Sequence, residues 1–337
     1  MSGYKEMKYY VQHYPQYLSE GLSIGTQVKI RKENYKFPIQ NIVITGLGGS
    51  GIGAEMVQDY LAPSLNIPIV IGKNYHLPNF INENSLVIVS SYSGDTEETL
   101  TAFKEAKDKN AQMVCVTSGG KLKDLAESNN LDIVLLPGGI PPRACVPISF
   151  SQILFVLNQL DLIGNDFIEE IENARLLIEK ENQNIQEEAK NIAQDILGKI
   201  PVIYGNQCVQ SVLTRWRQQL NENSKILAWE RVLPEMNHNE LVGWKDKNED
   251  LSVLFLHTGF ESQAIKNRFD ICKEVVGAKA SNIINIYAKG DSFLSVALYL
   301  TYLGDWLSVY LADLRGVDAV EVEVINYLKK SLSERAQ

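Results

Sequence analysis

Histidine is scarce in this chain: His13, His76, His238 and His257 are the only four in 337 residues, and no two lie at ligand spacing. A zinc site built on a local motif is therefore not expected. Cysteine is equally sparse. Cys115, Cys145, Cys208 and Cys272 stand far apart with no C-x-x-C pair, the usage of reduced thiols in a cytoplasmic protein rather than of a disulfide framework. Positive charge is short, with 32 Lys and Arg against 41 Asp and Glu, and a net charge of −9 repels a polyphosphate such as nucleic acid. An apolar leader is missing too, because "MSGYKEMKYYVQHYPQ" opens the chain with charges and aromatics, so no export is expected. One long apolar run exists, "FLSVALYLTYLGDWLSVYLAD" from Phe293, but Gly304, Asp305 and several hydroxyls interrupt it. It reads as a helix buried in a core or subunit interface, with no membrane partner.

What remains is ample for two globular domains, since 45% of the residues are hydrophobic. Between residues 41 and 139 the runs "NIVITGLG", "PIVIGKNY", "SLVIVSSYS", "MVCVTS" and "DIVLLPGG" read as strands, with helices expected at about 54–61, 97–107 and 121–128. Continuous apolar strands joined by helices imply a parallel sheet covered on both faces, hence a doubly wound α/β fold. "GGIPPRACVP" breaks the alternation, and a helical stretch is expected from about 149 to 197. A second alternation begins at "IPVIYG", with strands "LSVLFLHT" and "NIINIYA" and helices at about 209–219, 261–275, 293–314 and 320–335. The expected domains are 1–152 and 153–337, both α/β.

"ITGLGGSGIGAEMV" places Gly46, Gly48, Gly49, Gly51 and Gly53 around Ser50 between a strand and a helix, a backbone suited to an anion. A dinucleotide is disfavoured because the next strand ends in Lys73 and Asn74, not an acidic residue; a triphosphate loop would need a Gly-Lys-Ser/Thr end that is absent. "SSYSGDTEETL" adds the hydroxyls of Ser91, Ser93 and Thr96 at a second strand end. Open α/β sheets gather such ends in one crevice, and hydroxyls without a lysine suit a phosphate monoester. The plainer alternatives are a tight turn at the glycines and simple capping by Ser93 or Thr96 with Glu98.

"GGSGIG" followed by "SYSGDTEET" resembles the sugar isomerase (SIS) domain, and two such domains in one chain resemble the phosphoglucose isomerase superfamily. With "PPR", "LNENSK", "MNHNE" and "GVDAVEVEVINYLK" in order from residue 46 to 329, the chain is similar to the bifunctional phosphoglucose/phosphomannose isomerase family. The resemblance implies a metal-free, cofactor-free aldose–ketose isomerase that interconverts glucose 6-phosphate and fructose 6-phosphate through a cis-enediol, with mannose 6-phosphate left open. Gly49, Ser50, Ser91, Ser93 and Thr96 would hold the phosphate. Glu222 would move the proton between carbons, as a closely held carboxylate can. His238, sixteen residues later, would open the sugar ring. Glu235 and Glu240 compete with Glu222 for the part of base, and Asn237 and Asn239 would orient the histidine turn. Arg143, after two stiffening prolines, would stabilise the enediolate, and Lys329 would sit near the ring oxygen, with Lys330 adjacent. In the superfamily the histidine comes from the other subunit, so a homodimer is implied.

The match departs at two places. The family pattern Gly-Val-Asp-Pro followed by a hydroxyl residue reads "GVDAVEVEV" here, so Ala319 and Val320 put the range of epimers in question. Asp95 stands where many relatives carry Asn, and a carboxylate beside a phosphate loop is unfavourable unless it points away. Two other readings stay open: another SIS-domain phosphosugar enzyme, or a non-catalytic sugar-phosphate sensor.

Overall fold

The computed structural model describes residues 2–335. Its contacts divide the chain into two compact units, one of residues 13–179 with 290–296, the other of the remaining segments. The division falls at 179/180, inside a helix, whereas the sequence pattern placed it at 152/153. The helix α1 (Ser2–Gln12) belongs with the second unit.

The first unit contains α2 (Tyr14–Gly25), β1 (Asn41–Thr45), α3 (Gly48–Leu61), β2 (Ile69–Gly72), β3 (Ser85–Ser90), α4 (Glu97–Asp108), β4 (Gln112–Thr117), α5 (Gly120–Ser128), β5 (Asp132–Leu135), α6 (Val146–Gln159) and the start of α7 (Asp166–Asp195). Its five strands lie in the order β2-β1-β3-β4-β5, all parallel, with Val43 opposite both Val70 and Val87. β3 and β4 are buried along their whole length, which is why both read as unbroken apolar runs. On one face Val43, Val87, Val89, Met113 and Cys115 pack against Ala102 and Phe103 of α4 and Leu122 of α5.

The second unit repeats the pattern with β6 (Ile200–Asn206), α8 (Gln210–Glu222), β7 (Trp229–Leu233), the short α9 (Glu240–Gly243), β8 (Asn248–His257), α10 (Gln263–Gly277), β9 (Ala280–Tyr287), α11 (Phe293–Arg315) and α12 (Glu323–Arg335). Its order is β7-β6-β8-β9, again all parallel. β1, β2, β3 and β4 thus correspond to β6, β7, β8 and β9. Both halves are doubly wound, as their strand and helix alternation implies.

Three elements differ from the pattern in the sequence. α3 begins at Gly48, six residues before the expected start, so most of the glycine-rich segment is helical. The stretch expected as one helix is two, because Asp161 adopts a left-handed backbone and Asn158 Nδ2 donates to the Ile163 carbonyl, closing α6 before α7 opens. β7 lies in "ILAWERVLP", where no strand was expected.

α11 is the one helix among the described residues long and apolar enough to cross a membrane, and 94% of its most apolar window is buried inside the protein. The polar residues that interrupt it are spent on α8. Arg215 Nε and Nη2 donate to the two carboxylate oxygens of Asp305 at 3.0 and 2.7 Å, and Gln219 Nε2 adds a third bond at 2.9 Å. Trp216 Nε1 donates to the Leu300 carbonyl, while Asn223 and Ser224 bond Ser308. Gly304 lets the two helices close: a Cβ there would lie 2.4 Å from Trp216 Nε1. Removing one member of such a buried pair strands the other charge, at a cost of about 3–5 kcal/mol, whereas replacing both with apolar side chains is often neutral. Arg215→Met should accordingly lower unfolding stability by about that amount in a urea titration, and Arg215→Met with Asp305→Leu should recover most of it.

Candidate active site

In the first sheet the strand order reverses between β1 and β3, since β2 lies on one side of β1 and β3 on the other, and ligands bind outside the carboxyl ends of strands at such a point. The two segments that leave those strands meet there. The Tyr92 N–H donates to Ser50 Oγ at 3.1 Å, so the first turn of α3 is tied to the loop after β3. Ser91 Oγ donates to Thr96 Oγ1 at 3.0 Å and accepts from the Gly94 N–H. Thr96 holds the N-cap position of α4, yet its side chain makes no capping bond. Its hydroxyl pairs with Ser91 instead, and simple capping does not account for it. Ser93 is exposed on the same loop and accepts from the Asp95 N–H.

Close backbone approach explains two of the glycines. A Cβ on Gly49 would lie 2.6 Å from the Pro142 carbonyl and 3.2 Å from the Arg143 nitrogen, so α3 starts in contact with the "PPR" segment. Gly94 has φ +72°, and a Cβ there would fall 1.8 Å from the Gly119 carbonyl. Arg143 is itself buried, 7% exposed. The first turn of α3 with Gly49 and Ser50, the Ser91 and Thr96 hydroxyls and the Arg143 backbone are therefore brought together at these strand ends, with Ser93 exposed on the same loop. Hydroxyls and a helix start at one place can hold a compact anion. Asp95 does point away: its Oδ1 accepts from the Lys121 N–H at the start of α5.

Tyr92 was not foreseen. Besides its bond to Ser50, its hydroxyl donates to the Pro137 carbonyl and accepts from the Ile140 N–H, pinning the hydroxyl loop to the segment that leads to Arg143. The one signal in the sequence is an aromatic side chain inside a run of small polar residues.

The equivalent loop of the second unit has a different chemistry. It follows β8, and Glu261 folds back into it: Oε1 accepts from the N–H and hydroxyl of Thr258, and Oε2 from the Gly259 N–H at 3.0 Å. The chain fills this strand end with its own carboxylate. Burial acts to raise the Glu261 pKa, but the Thr258 donors outweigh it and hold the carboxyl below its ordinary value.

Glu222, His238 and Lys329 all lie in the second unit, on three separate elements. Glu222 is half-buried at the C-terminal end of α8. α8 returns antiparallel to β6, so Glu222 sits at the edge where the strands begin. His238 comes after β7, in the short 3-10 turn Glu235–His238, at the edge where they end. A five-residue strand puts those edges about 16 Å apart. No hydrogen bond joins His238 or Lys329 to Glu222, and both side chains are exposed with no partner among the described residues. Lys330 lies 3.9 Å from Glu334.

Everything around His238 is committed to holding its turn. Asn237 Nδ2 donates to Cys272 Sγ and its Oδ1 accepts from Arg268; Asn239 Oδ1 accepts from the Glu240 N–H and its Nδ2 donates to Glu235. Glu240 Oε1 accepts from the Tyr204 hydroxyl at 2.6 Å and from Trp229 Nε1 at 3.0 Å, while Oε2 lies 3.2 Å from Arg231 Nε. Burial and Glu240 together push the Tyr204 pKa far up, so this phenol stays a donor. Both competitors of Glu222 are thereby occupied in structure.

Residues 38–139 match the model of the SIS domain, and residues 185–332 match that of the bacterial phospho-glucose isomerase C-terminal SIS domain. Over 334 residues the chain is 36% identical to the bifunctional phosphoglucose/phosphomannose isomerase of Caldicellulosiruptor bescii, which covers 96% of this chain and 98% of that protein. It is 36% identical over 302 residues to the protein of the same name from Aquifex aeolicus, covering 89% and 92% of the two. Among solved structures, the C-terminal domain of glucosamine-fructose-6-phosphate aminotransferase from Francisella tularensis superimposes with a TM-score of 0.74 at 16% identity, over 93% of this chain and 97% of that one. That last likeness speaks to the fold alone.

The Glu261 carboxylate has a lowered pKa in the folded chain, so its stabilisation is complete above the unfolded value of about 4.3 and is lost as pH falls through the folded value. Glu261→Gln should therefore lower the melting temperature at pH 7. The deficit should shrink as the pH is taken below about 4, in scans of both proteins across that range.

Proposed function

The chain belongs to the bifunctional phosphoglucose/phosphomannose isomerase family, and from that premise we propose how its residues divide the reaction. The protein interconverts glucose 6-phosphate, mannose 6-phosphate and fructose 6-phosphate, an aldose–ketose isomerisation. The likeness across nearly the whole chain to relatives of one name carries the activity; the site's geometry supports the assignment of roles.

The phosphate is taken by the crevice of the first unit, with Ser50, Ser91, Ser93 and Thr96 as hydroxyl partners and the first turn of α3 at Gly49 as a source of N–H groups. His238 moves the proton that opens the closed ring, and Lys329 lies at the ring oxygen. Glu222 then takes the proton from carbon 2 of the open aldose. The electron pair moves into the carbonyl at carbon 1 to give a cis-enediolate, whose charge Arg143 stabilises. Return of the same proton to carbon 1, with the hydroxyl proton passing from oxygen 2 to oxygen 1, gives the ketose. The enediolate is planar at carbon 2, so its two faces lead to the glucose and the mannose epimer, and one base serves both substrates when the intermediate turns about its C2–C3 bond to present the other face.

Glu222 and His238 stand at opposite edges of one sheet, which supports a site completed by a second copy of the chain. An exposed histidine on a turn so thoroughly braced suits delivery into a partner's crevice. Apolar side chains left in solvent on the same unit, among them Leu227 at 81%, Val242 at 80% and Val324 at 80% exposed, support a homodimer that covers them. Four cysteines, none of them in a disulfide, fit the cytoplasm as its place of work.

Glu222→Gln should abolish turnover of fructose 6-phosphate while leaving binding of the sugar phosphate within about twofold, measured by kinetics and by calorimetry; turnover retained would remove Glu222 from the role of base. Mixing Glu222→Gln with His238→Ala protein, each inactive alone, should restore activity through hybrid dimers carrying one intact site. Absence of complementation, with hybrids demonstrated by mass, would place both groups of a site on one chain.

A further inference from the structure

Lys225, in the segment "LNENSK", has no part in the proton transfers above, yet two independent features set it apart. Its backbone lies in the left-handed region at φ +57°, the conformation that ends many helices and that favours glycine. Backbone and amide bonds help close this turn, since the Ile226 N–H reaches the Leu220 carbonyl and Asn221 Nδ2 donates to the Ile226 carbonyl. A glycine would meet the backbone requirement without strain. The lysine side chain does something a glycine cannot. Its Nζ donates to the carbonyl of Glu222 at 2.5 Å and to the carbonyl of Glu321 at 2.6 Å, and lies 3.8 Å from the Glu321 carboxylate.

We propose that Lys225 is a positioning residue for Glu222, fastening the end of α8 to the 316–322 segment that leads into α12. The inference rests on the assignment of Glu222 as base. Glu222 is the last residue of α8, where carbonyls lack helical partners and an ammonium is favoured by the helix dipole. On one side the following residues, Asn223 and Ser224, are bonded to Ser308 of α11. On the other side Lys225 holds the Glu222 carbonyl itself. The segment it reaches is ordered by Asp318, whose Oδ1 accepts from the N–H groups of Val320 and Glu321. The clamp therefore joins two preset pieces of backbone. A base that must sit within hydrogen-bond reach of a carbon-bound proton loses rate when its backbone drifts, even if substrate binding is unchanged.

The test compares Lys225→Met, which keeps the stem and removes the donors, with Lys225→Gly, which relieves the backbone and removes the donors. Each is assayed for kcat and KM on fructose 6-phosphate and for thermal stability, with Glu222→Gln alongside. The expected result is a kcat lowered about tenfold to a hundredfold in both variants, with KM changed less than about threefold. Lys225→Gly should melt higher than Lys225→Met without regaining kcat, and Lys225→Arg should regain part of it. A wild-type kcat in Lys225→Met, or recovery of kcat together with melting temperature in Lys225→Gly, would overturn the inference and leave Lys225 a helix cap. If Glu222→Gln is inactive in those cases, the base assignment stands; if Glu222→Gln turns over normally, that assignment and this inference fall together.

Discussion

The bidentate pair between Arg215 and Asp305 is the constraint on which the second half of the molecule depends. Both side chains are almost wholly buried, so neither charge is tolerable unless the other is in place. That requirement fixes the rotation and the advance of α8 along α11. The bonds that follow, from Gln219, Asn223 and Ser224, continue in register toward the end of α8, where Glu222 emerges. Apolar packing alone would let one helix slide on another at small cost; a fork of paired donors and acceptors does not.

The two sheets share a strand order and differ in what their strand ends hold. After β3 the chain supplies hydroxyls and leaves them gathered on an open crevice, and after β8 it supplies a carboxylate and closes the loop on it. One architecture thus gives a place for an external anion and a place that is already satisfied. The carboxylate proposed as base, Glu222, lies on the second unit at the other edge of its sheet altogether. A repeated fold has been used from opposite ends, which is the sense in which fold alone says little about function.

Much of this was readable in the sequence, because the signals were local. Strands buried on both faces announce themselves as β-branched runs, and eight of the nine were placed from such runs. β7 was not, since "WERVL" is half-buried and carries two charges, each paired with a residue outside the strand: Glu230 with Arg217 of α8 and Arg231 with Glu240 of α9. The early start of α3 was hidden by its glycines, which disfavour a helix in isolation but are needed where Gly49 meets Pro142. Ser50, Ser91 and Thr96 could be named from motif and order, whereas their meeting through Tyr92 could not. Asp305 was visible as an interruption of an apolar run; that it answered Arg215, 90 positions earlier, is a property of the packing.

Glu261 has a bearing on how the molecule responds to its surroundings. A carboxylate attached to the loop it fills is present at a constant and very high effective concentration, whatever the metabolite level outside. On the assignment proposed above, the hydroxyl cluster after β3 would instead gain stability by mass action as its anion becomes abundant. One lobe is thereby buffered against supply and the other is sensitive to it, so that starvation for sugar phosphate would soften the chain first around Ser91 and Thr96 while the loop at Thr258 stayed as firm as before.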